Sequence, residues 1–349
     1  MYLDAQGNPI TKKSLDGASA SGIPGSVAGM IATHAYAKLS LAKLIEPAIE
    51  LAEYGYVITA REANGLNSQK ANFLKNSSAP SAFTQREWKA GDTLYQPELA
   101  ATLKRIQEKG LAGFYEGETA DFIVKEMQYF EGIITKEDLK NYQPKFRKPI
   151  EFDYKGHHII SFSPPSSGGI IIAQMLKMIE PFNVGNMGQN TEASVSLMIE
   201  AQRRAYADRA EHMGDPDYWK VPTKTLISDE YAKDRMKDYV PGVAGSSKIT
   251  QAGQVHESEE TTHFSVIDAK GNMVAVTTTL NDTYGNKTIV AGAGFLLNNE
   301  MDDFSVKPGV PNMYGALGGE ANSIVPGKRM LSSMTPTLVT LNGKPYISI

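Results

Sequence analysis

A mixed α+β fold, helices first and sheet later, is what this 349-residue sequence predicts. Segments with apolar residues at helical spacing recur through residue 211, whereas β-branched and aromatic runs parted by Gly and Asn turns gather beyond residue 261. The composition, 41% hydrophobic and 21% charged, is that of a globular chain able to bury a large core. There is no internal repeat and no low-complexity segment.

The N-terminus reads as the tip of a hairpin, with Gln6–Pro9 as its turn. The breakers Gly22, Pro24 and Gly25 lead into a small, apolar helix starting near Ser26. Ser40–Ala52 has helical spacing, and Pro47 predicts a break or a new helix start inside it. Helices follow over Glu98–Lys109, closed by Gly110, over Gly117–Met127, and over Ser194–Glu211. Ile150–Tyr154 and His158–Phe162 read as strands. Phe264–Asp268 and Met273–Leu280 form a predicted hairpin, and Met334–Leu341 with the Asn342-Gly343 turn begins a second. Between them, the Gly/Pro-rich stretch Lys307–Gly319 is long enough to suggest a lid or binding loop. A chain that opens in a turn and closes on an apolar strand reads as an internal fragment.

Net charge is −4, the pI is near 5.9 and mean hydropathy is −0.30. No Lys/Arg run forms a basic patch, which argues against a nucleic-acid partner. Without cysteine, disulfides, thiolate zinc sites and Cys nucleophiles are excluded. The apolar stretch around Gly168–Leu176 is too short to span a bilayer, and no signal peptide is visible at the N-terminus.

Several features invite a functional reading. His157 and His158 are adjacent on a strand and so point to opposite faces, which disfavours a shared metal ion. Gly22, Gly25 and Gly29 follow no strand signal and make a poor dinucleotide fingerprint. Ser166-Ser167-Gly168-Gly169 reads either as an anion-holding loop at a helix start or as a close-packed turn where glycine allows backbone contact.

Thr261-Thr262 follows an acidic stretch, His256–Glu260, and reads either as a plain strand start or as chemistry. A threonine hydroxyl needs a base beside it to act as a nucleophile. Cutting the Glu260-Thr261 bond would give Thr261 a free α-amine with a pKa near 8, suited to that role.

The stretches Glu260–Val266 (ETTHFSV), Ala275–Asn281 (AVTTTLN), Leu296–Phe304 (LLNNEMDDF), Lys307–Gly315 (KPGVPNMYG) and Lys328–Pro336 (KRMLSSMTP) resemble the γ-glutamyltransferases (γ-glutamyltranspeptidases). Upstream, Gly22–Met30, Gly113–Ala120, Thr135–Tyr142, Pro164–Gly169, Arg204–Arg209 and Gly214–Pro216 resemble the same family, so the likeness runs from end to end. It implies a four-layer αββα sandwich of the N-terminal-nucleophile type, truncated at both termini. It also implies one precursor that cuts itself into a large-subunit part, residues 1–260, and a small-subunit part, residues 261–349, making one composite domain.

Carried over residue by residue, the resemblance makes Glu260-Thr261 the cleavage site, Thr261 the nucleophile and Thr279 the group that orients it. Asn281, Glu300 and Asp303 would hold the α-amino and α-carboxylate ends of the glutamyl group, Asp303 and Glu300 suiting the ammonium and Glu300 standing where some members have Gln, and Ser332 and Ser333 would hold the α-carboxylate. Tyr314 would lie in the lid. The family's substrate-binding arginine is expected upstream of Met1, and its oxyanion-hole glycines just after Ile349.

No cofactor is implied. The donor would be glutathione or another γ-glutamyl compound, and the acceptor water, an amino acid or a dipeptide. Family members are usually periplasmic or secreted. Two other readings are a related cephalosporin or glutaryl acylase, and a silent fragment that only binds ligand. Asp303 and the full Pro/Gly lid favour the transferase, because the cephalosporin acylases as a subgroup differ at both places.

Overall fold

The computed structural model describes residues 1–246 and 261–349. Two compact units interleave along the chain: Ile10–Phe146 with Leu280–Met301, and Met1–Pro9 with Arg147–Thr279 and Asp302–Ile349.

The first unit is mainly helical, with α1 (Ser26–Thr33), α2 (Leu41–Tyr54), α3 (Ala60–Asn76), α4 (Pro97–Lys109) and α5 (Gly117–Tyr129). Helix α3 starts where Thr59 and Glu62 form a reciprocal capping box, and α4 starts on Pro97, whose missing N–H costs nothing there. The break expected at Pro47 does not occur, for α2 runs straight through it. Proline removes one helical hydrogen bond at a cost of about 3 kcal/mol. Packing of α2 along α4, with Ile49 and Ala52 buried, outweighs that loss.

The core of this unit has two clusters, one around Phe114, Ile123, Met127 and Leu139, the other around Ile58, Leu66, Phe73 and Trp88. Residues 280–301 feed both, through Val290, Ala293 and Leu297 in one and Ile289 in the other. The buried Glu126 carboxylate pins this segment by accepting from Ala291 N (3.2 Å) and Ser78 N (3.1 Å).

The second unit contains β1 (Ile150–Tyr154), β2 (His157–Ser161), α6 (Gly168–Ile179), α7 (Glu192–His212), β3 (Thr262–Ile267), β4 (Met273–Thr278), β5 (Thr337–Leu341) and β6 (Lys344–Ser348). An antiparallel sheet has the order β1-β2-β5-β6, and β3 pairs with β4 in a separate hairpin. Helix α6 covers the sheet through a cluster that includes Ile150, Phe152, Ile159, Ile170, Ile171 and Val339. Helix α7 opens at a Thr191/Ser194 capping box, slightly ahead of the expected start. His158 Nδ1 lies 2.9 Å from Asp153 Oδ1, while His157 Nδ1 lies 3.1 Å from Lys155 O, so the two rings serve different partners.

The N-terminal tip is real but displaced: Leu3 bridges Pro9, and the turn is Asp4–Gly7. Asp4 Oδ1 accepts from Gln6 N (2.9 Å) and Asn8 N (2.7 Å), an Asx turn that leaves Gly7 with φ +77°.

At the start of α6 the packing is tight. A Cβ on Gly168 would stand 2.0 Å from Thr335 Oγ1 and 2.9 Å from Met334 O, and one on Gly169 would stand 2.3 Å from Phe162 O. The close-packed-turn reading of Ser166–Gly169 is therefore the one this structure bears out. Elsewhere on α7, Glu200 is buried between Arg203 and Arg204 and accepts from Gly245 N (2.9 Å).

Two stability predictions arise here. Gly168→Ala should destabilise by about 1–3 kcal/mol through overpacking, read as a lowered urea midpoint; an unchanged midpoint would contradict the close approach. For Glu200, burial alone would raise the carboxyl pKa, but the Arg204 hydrogen bond, the Gly245 N–H and the charges of Arg203 and Arg204 more than offset it, leaving the pKa below its ordinary value. A carboxylate with a depressed folded pKa stabilises above its unfolded pKa, and that contribution is lost as pH falls through the folded value. Glu200→Gln should thus cost about 3 kcal/mol near neutrality. Its deficit against wild type should shrink as pH falls below about 4, as urea melts across pH would show.

Candidate active site

The antiparallel register of β3 and β4 pairs Thr262 with Thr278, His263 with Thr277 and Phe264 with Val276. Continued one step beyond the ladder, the same register would set Thr261 opposite Thr279, and directly opposed side chains on one face of such a pair stand roughly 5 Å apart. Strand alternation then sorts the hairpin into two faces. Thr261, His263 and Ser265 share one with Thr277 and Thr279, and its hydrogen bonds run from His263 Nδ1 to Thr277 Oγ1 (2.8 Å) and from Nε2 to Ser265 Oγ (3.0 Å). Phe264, Val266, Val274 and Val276 occupy the other.

The turn that sets this register is closed by Asp268. Its Oδ1 accepts from Lys270 N and Asn272 N, both at 2.9 Å, and Gly271 takes φ +84°. Thr261 is exposed and Thr279 half-buried. Glu260 and the acidic stretch before it lie outside the described residues.

In the same unit, Asp303 and the Ser332-Ser333 pair are tied together by Asn322. This 3%-exposed side chain donates to Asp303 O (2.7 Å) and accepts from Leu331 N (2.9 Å). A second anchor is Asp215, fully buried, which accepts from Arg329 N (2.9 Å) and pairs with Arg147 (3.1 Å). A third is the turn before α6. Ser167 N and Ser167 Oγ both donate to Ser332 O at 2.9 Å, Ser332 N donates to Pro165 O (3.0 Å), and Ser166 Oγ donates to Met334 O (2.6 Å).

Beneath the pair sits Arg209, in the last turn of α7. Its Nε donates to Ser167 Oγ (3.0 Å) and its Nη2 to Ser333 Oγ (3.2 Å). Burial pushes the guanidinium pKa down from its ordinary value, while Tyr206 and the Asp303 charge act in the opposite direction. Ser332 is buried and Ser333 exposed, with the Ser333 hydroxyl oxygen held from below by Arg209.

Tyr314 lies on a loop that closes on itself: Gly309 N donates to Gly318 O (3.0 Å), Asn312 N to Ala316 O (3.1 Å) and Gly315 N to Asn312 O (2.9 Å). Asp302 Oδ2 ties the loop back by accepting from Met313 N (2.8 Å).

Asn281 and Glu300 belong to the other unit. Asn281, at φ +76°, donates from Nδ2 to Asn299 O (3.1 Å), and Asn299 Oδ1 accepts from Asp282 N (3.0 Å). Asparagine tolerates this left-handed backbone better than most residues. Glu300 N donates to Asn298 Oδ1 (3.1 Å), an oxygen that also accepts from Gly22 N (2.9 Å).

Sequence reasoning assigned no role to Arg209, Asn322 or Asp215, and weighed Ser167 only as part of the Ser166–Gly169 turn. Arg209 and Asp215 stand inside stretches that carried the family resemblance, and that was their one signal.

A family model described as gamma-glutamyltranspeptidase matches residues 1–349. The glutathione hydrolase proenzyme of Escherichia coli (strain K12) is 45% identical over 353 residues, an alignment covering 99% of this chain and 61% of that relative. The crystal structure of Helicobacter pylori γ-glutamyltranspeptidase superposes with a TM-score of 0.68 at 42% identity, covering 71% of this chain and 72% of that one. Cephalosporin acylase from Bacillus halodurans gives a TM-score of 0.79 at 25% identity, covering 95% and 60%. The α+β architecture is thus of the N-terminal-nucleophile type these enzymes share. With a model match over its whole length, the chain belongs to the γ-glutamyltranspeptidase family.

Proposed function

We propose that this chain carries the nucleophile and much of the ligand-holding surface of a self-processing γ-glutamyltransferase acting on glutathione and related γ-glutamyl amides. The observation that carries the reading is the hairpin register, which pairs Thr262 with Thr278 and, extended by one step, would bring Thr261 across from Thr279 at the end of a polar face. Cleavage after Glu260 would free the Thr261 α-amine, dividing the chain into parts 1–260 and 261–349. That amine takes the Thr261 hydroxyl proton as Oγ attacks the γ-carbonyl. The C–N bond of the donor then breaks, the leaving amine receives the proton, and a γ-glutamyl ester remains on Thr261 Oγ. Water, an amino acid or a dipeptide attacks the ester in turn and restores the hydroxyl.

Recognition follows from charge. A γ-glutamyl group ends in an ammonium and a carboxylate, so it needs acceptors for one and donors for the other. Asp303 would supply an acceptor for the ammonium and the Ser332 and Ser333 hydroxyls donors for the carboxylate; Asn281 and Glu300, in the other unit, carry further acceptors. Tyr314, on its self-closed loop, would cover the bound group and exclude water. The acylase-like relative keeps a second reading in view, in which the scissile amide carries a glutaryl group lacking the ammonium.

Intact-mass measurement on the full-length protein tests the processing step. Wild type should yield fragments meeting at Glu260 and Thr261, and Thr261→Ala should remain one chain; a wild type that stays uncut removes the proposal. Substrate choice is tested separately. Release of p-nitroaniline should be faster from γ-glutamyl-p-nitroanilide than from glutaryl-p-nitroanilide, and Asp303→Asn should raise KM for the former by roughly ten- to hundredfold. Preference for the glutaryl compound would favour the acylase.

A further inference from the structure

We propose that Arg209 is the positioning residue of the carboxylate-holding serines: its buried guanidinium orients the Ser333 and Ser167 hydroxyls and gives the Ser332-Ser333 loop its selectivity for a substrate carboxylate. The inference rests on the functional reading above and deepens it.

The argument begins with hydrogen-bond direction. Arginine has only donors, so each oxygen it touches must act as the acceptor. Nη2 on Ser333 Oγ therefore occupies a lone pair and turns the Ser333 O–H away, toward the exposed side of the loop. Nε does the same to Ser167 Oγ, and that hydroxyl donates onward to Ser332 O (2.9 Å). One guanidinium thus sets two serines as outward donors in a fixed sense, one facing a ligand and the other bracing the backbone. A hydroxyl with a free rotor would offer an approaching carboxylate a lone pair as readily as a proton. With the rotor set, less reorientation accompanies binding.

Charge acts with geometry. Arg209 sits in the last turn of α7, the favourable end of that helix for a cation. The cationic group lies under the serine pair in a water-poor setting, where its attraction for an anion is far less screened than at the surface. Asp303, which acts electrostatically on Arg209, is assigned to the ligand's ammonium. The two charges therefore present a cation toward the carboxylate end and an anion toward the ammonium end, a polarity matched to an α-amino acid.

The test compares two anilides in the full-length protein: γ-glutamyl-p-nitroanilide, and 4-aminobutyryl-p-nitroanilide, which keeps the amine and lacks the carboxylate. Wild-type turnover of the first tests the functional reading; the change in the ratio between substrates tests Arg209. R209Q should raise KM for the γ-glutamyl substrate about ten- to hundredfold, with kcat within about threefold and the 4-aminobutyryl substrate little changed. R209K, which keeps the charge and loses the fork, should recover part of the KM loss. Equal losses on both substrates, or an unchanged ratio, would overturn the proposal. Should R209Q fail to fold, S167A removes the Nε acceptor and keeps the charge. A KM rise of about threefold or more on the carboxylate-bearing substrate alone supports the proposal, and an unchanged ratio sinks it. Calorimetric binding of glutamate against 4-aminobutyrate gives the same comparison without turnover, and a wild type with no preference for glutamate overturns the inference.

Discussion

Ser332 O receives two hydrogen bonds from Ser167, and that meeting requires the 332–335 backbone to lie against the first turn of a helix formed far earlier in the chain. Only glycine fits at positions 168 and 169, where any Cβ would meet Thr335 Oγ1 or Phe162 O well inside contact distance. From this approach several features follow together. The loop acquires a fixed height over Arg209, the β5 strand leaves it in register with β2 through the Ser161–Thr337 hydroxyl pair (2.8 Å), and Asn322 can span Asp303 and Leu331. A methyl group at Gly168 would disturb the sheet and the Ser332-Ser333 loop at once.

Much of the fold is legible in the sequence, for reasons that differ by element. The β3–β4 hairpin declares itself because its turn chemistry is local: Asp268, Gly271 and Asn272 close it without help from distant residues. Its register, down to the pairing of Thr262 with Thr278, then follows from the same few residues. Pro47 misleads because helix rules are local while the packing of α2 on α4 is not. Helix α3 carries a clear Thr59/Glu62 capping box, yet its largely polar sequence gives apolar periodicity little to grip.

The candidate site residues divide the same way. Thr261, Thr279, Asp303, Ser332 and Ser333 lie in short motifs that announce themselves by family resemblance. Arg209 and Asn322 do not announce a role, because each acts by joining segments remote in sequence: Arg209 meets Ser167 and Ser333, and Asn322 meets Asp303 and Leu331. Nothing in a periodic reading of α7 separates an arginine that ends a helix from one that orients two hydroxyls. Proximity decides, and proximity is a property of the folded chain.

The turn at Asp268–Asn272 acts as a ruler for chemistry at the opposite end of its own hairpin. Side chains alternate along a strand, so sliding β3 by a single residue against β4 would carry Thr261 and His263 together away from Thr277 and Thr279 and onto the face of Val274, Val276 and Thr278. The spacing between these two threonines is therefore held by loop length. A reading frame of pairs is being kept, and a one-residue insertion in that turn would take Thr277 and Thr279 off the face that carries Thr261 without altering either threonine.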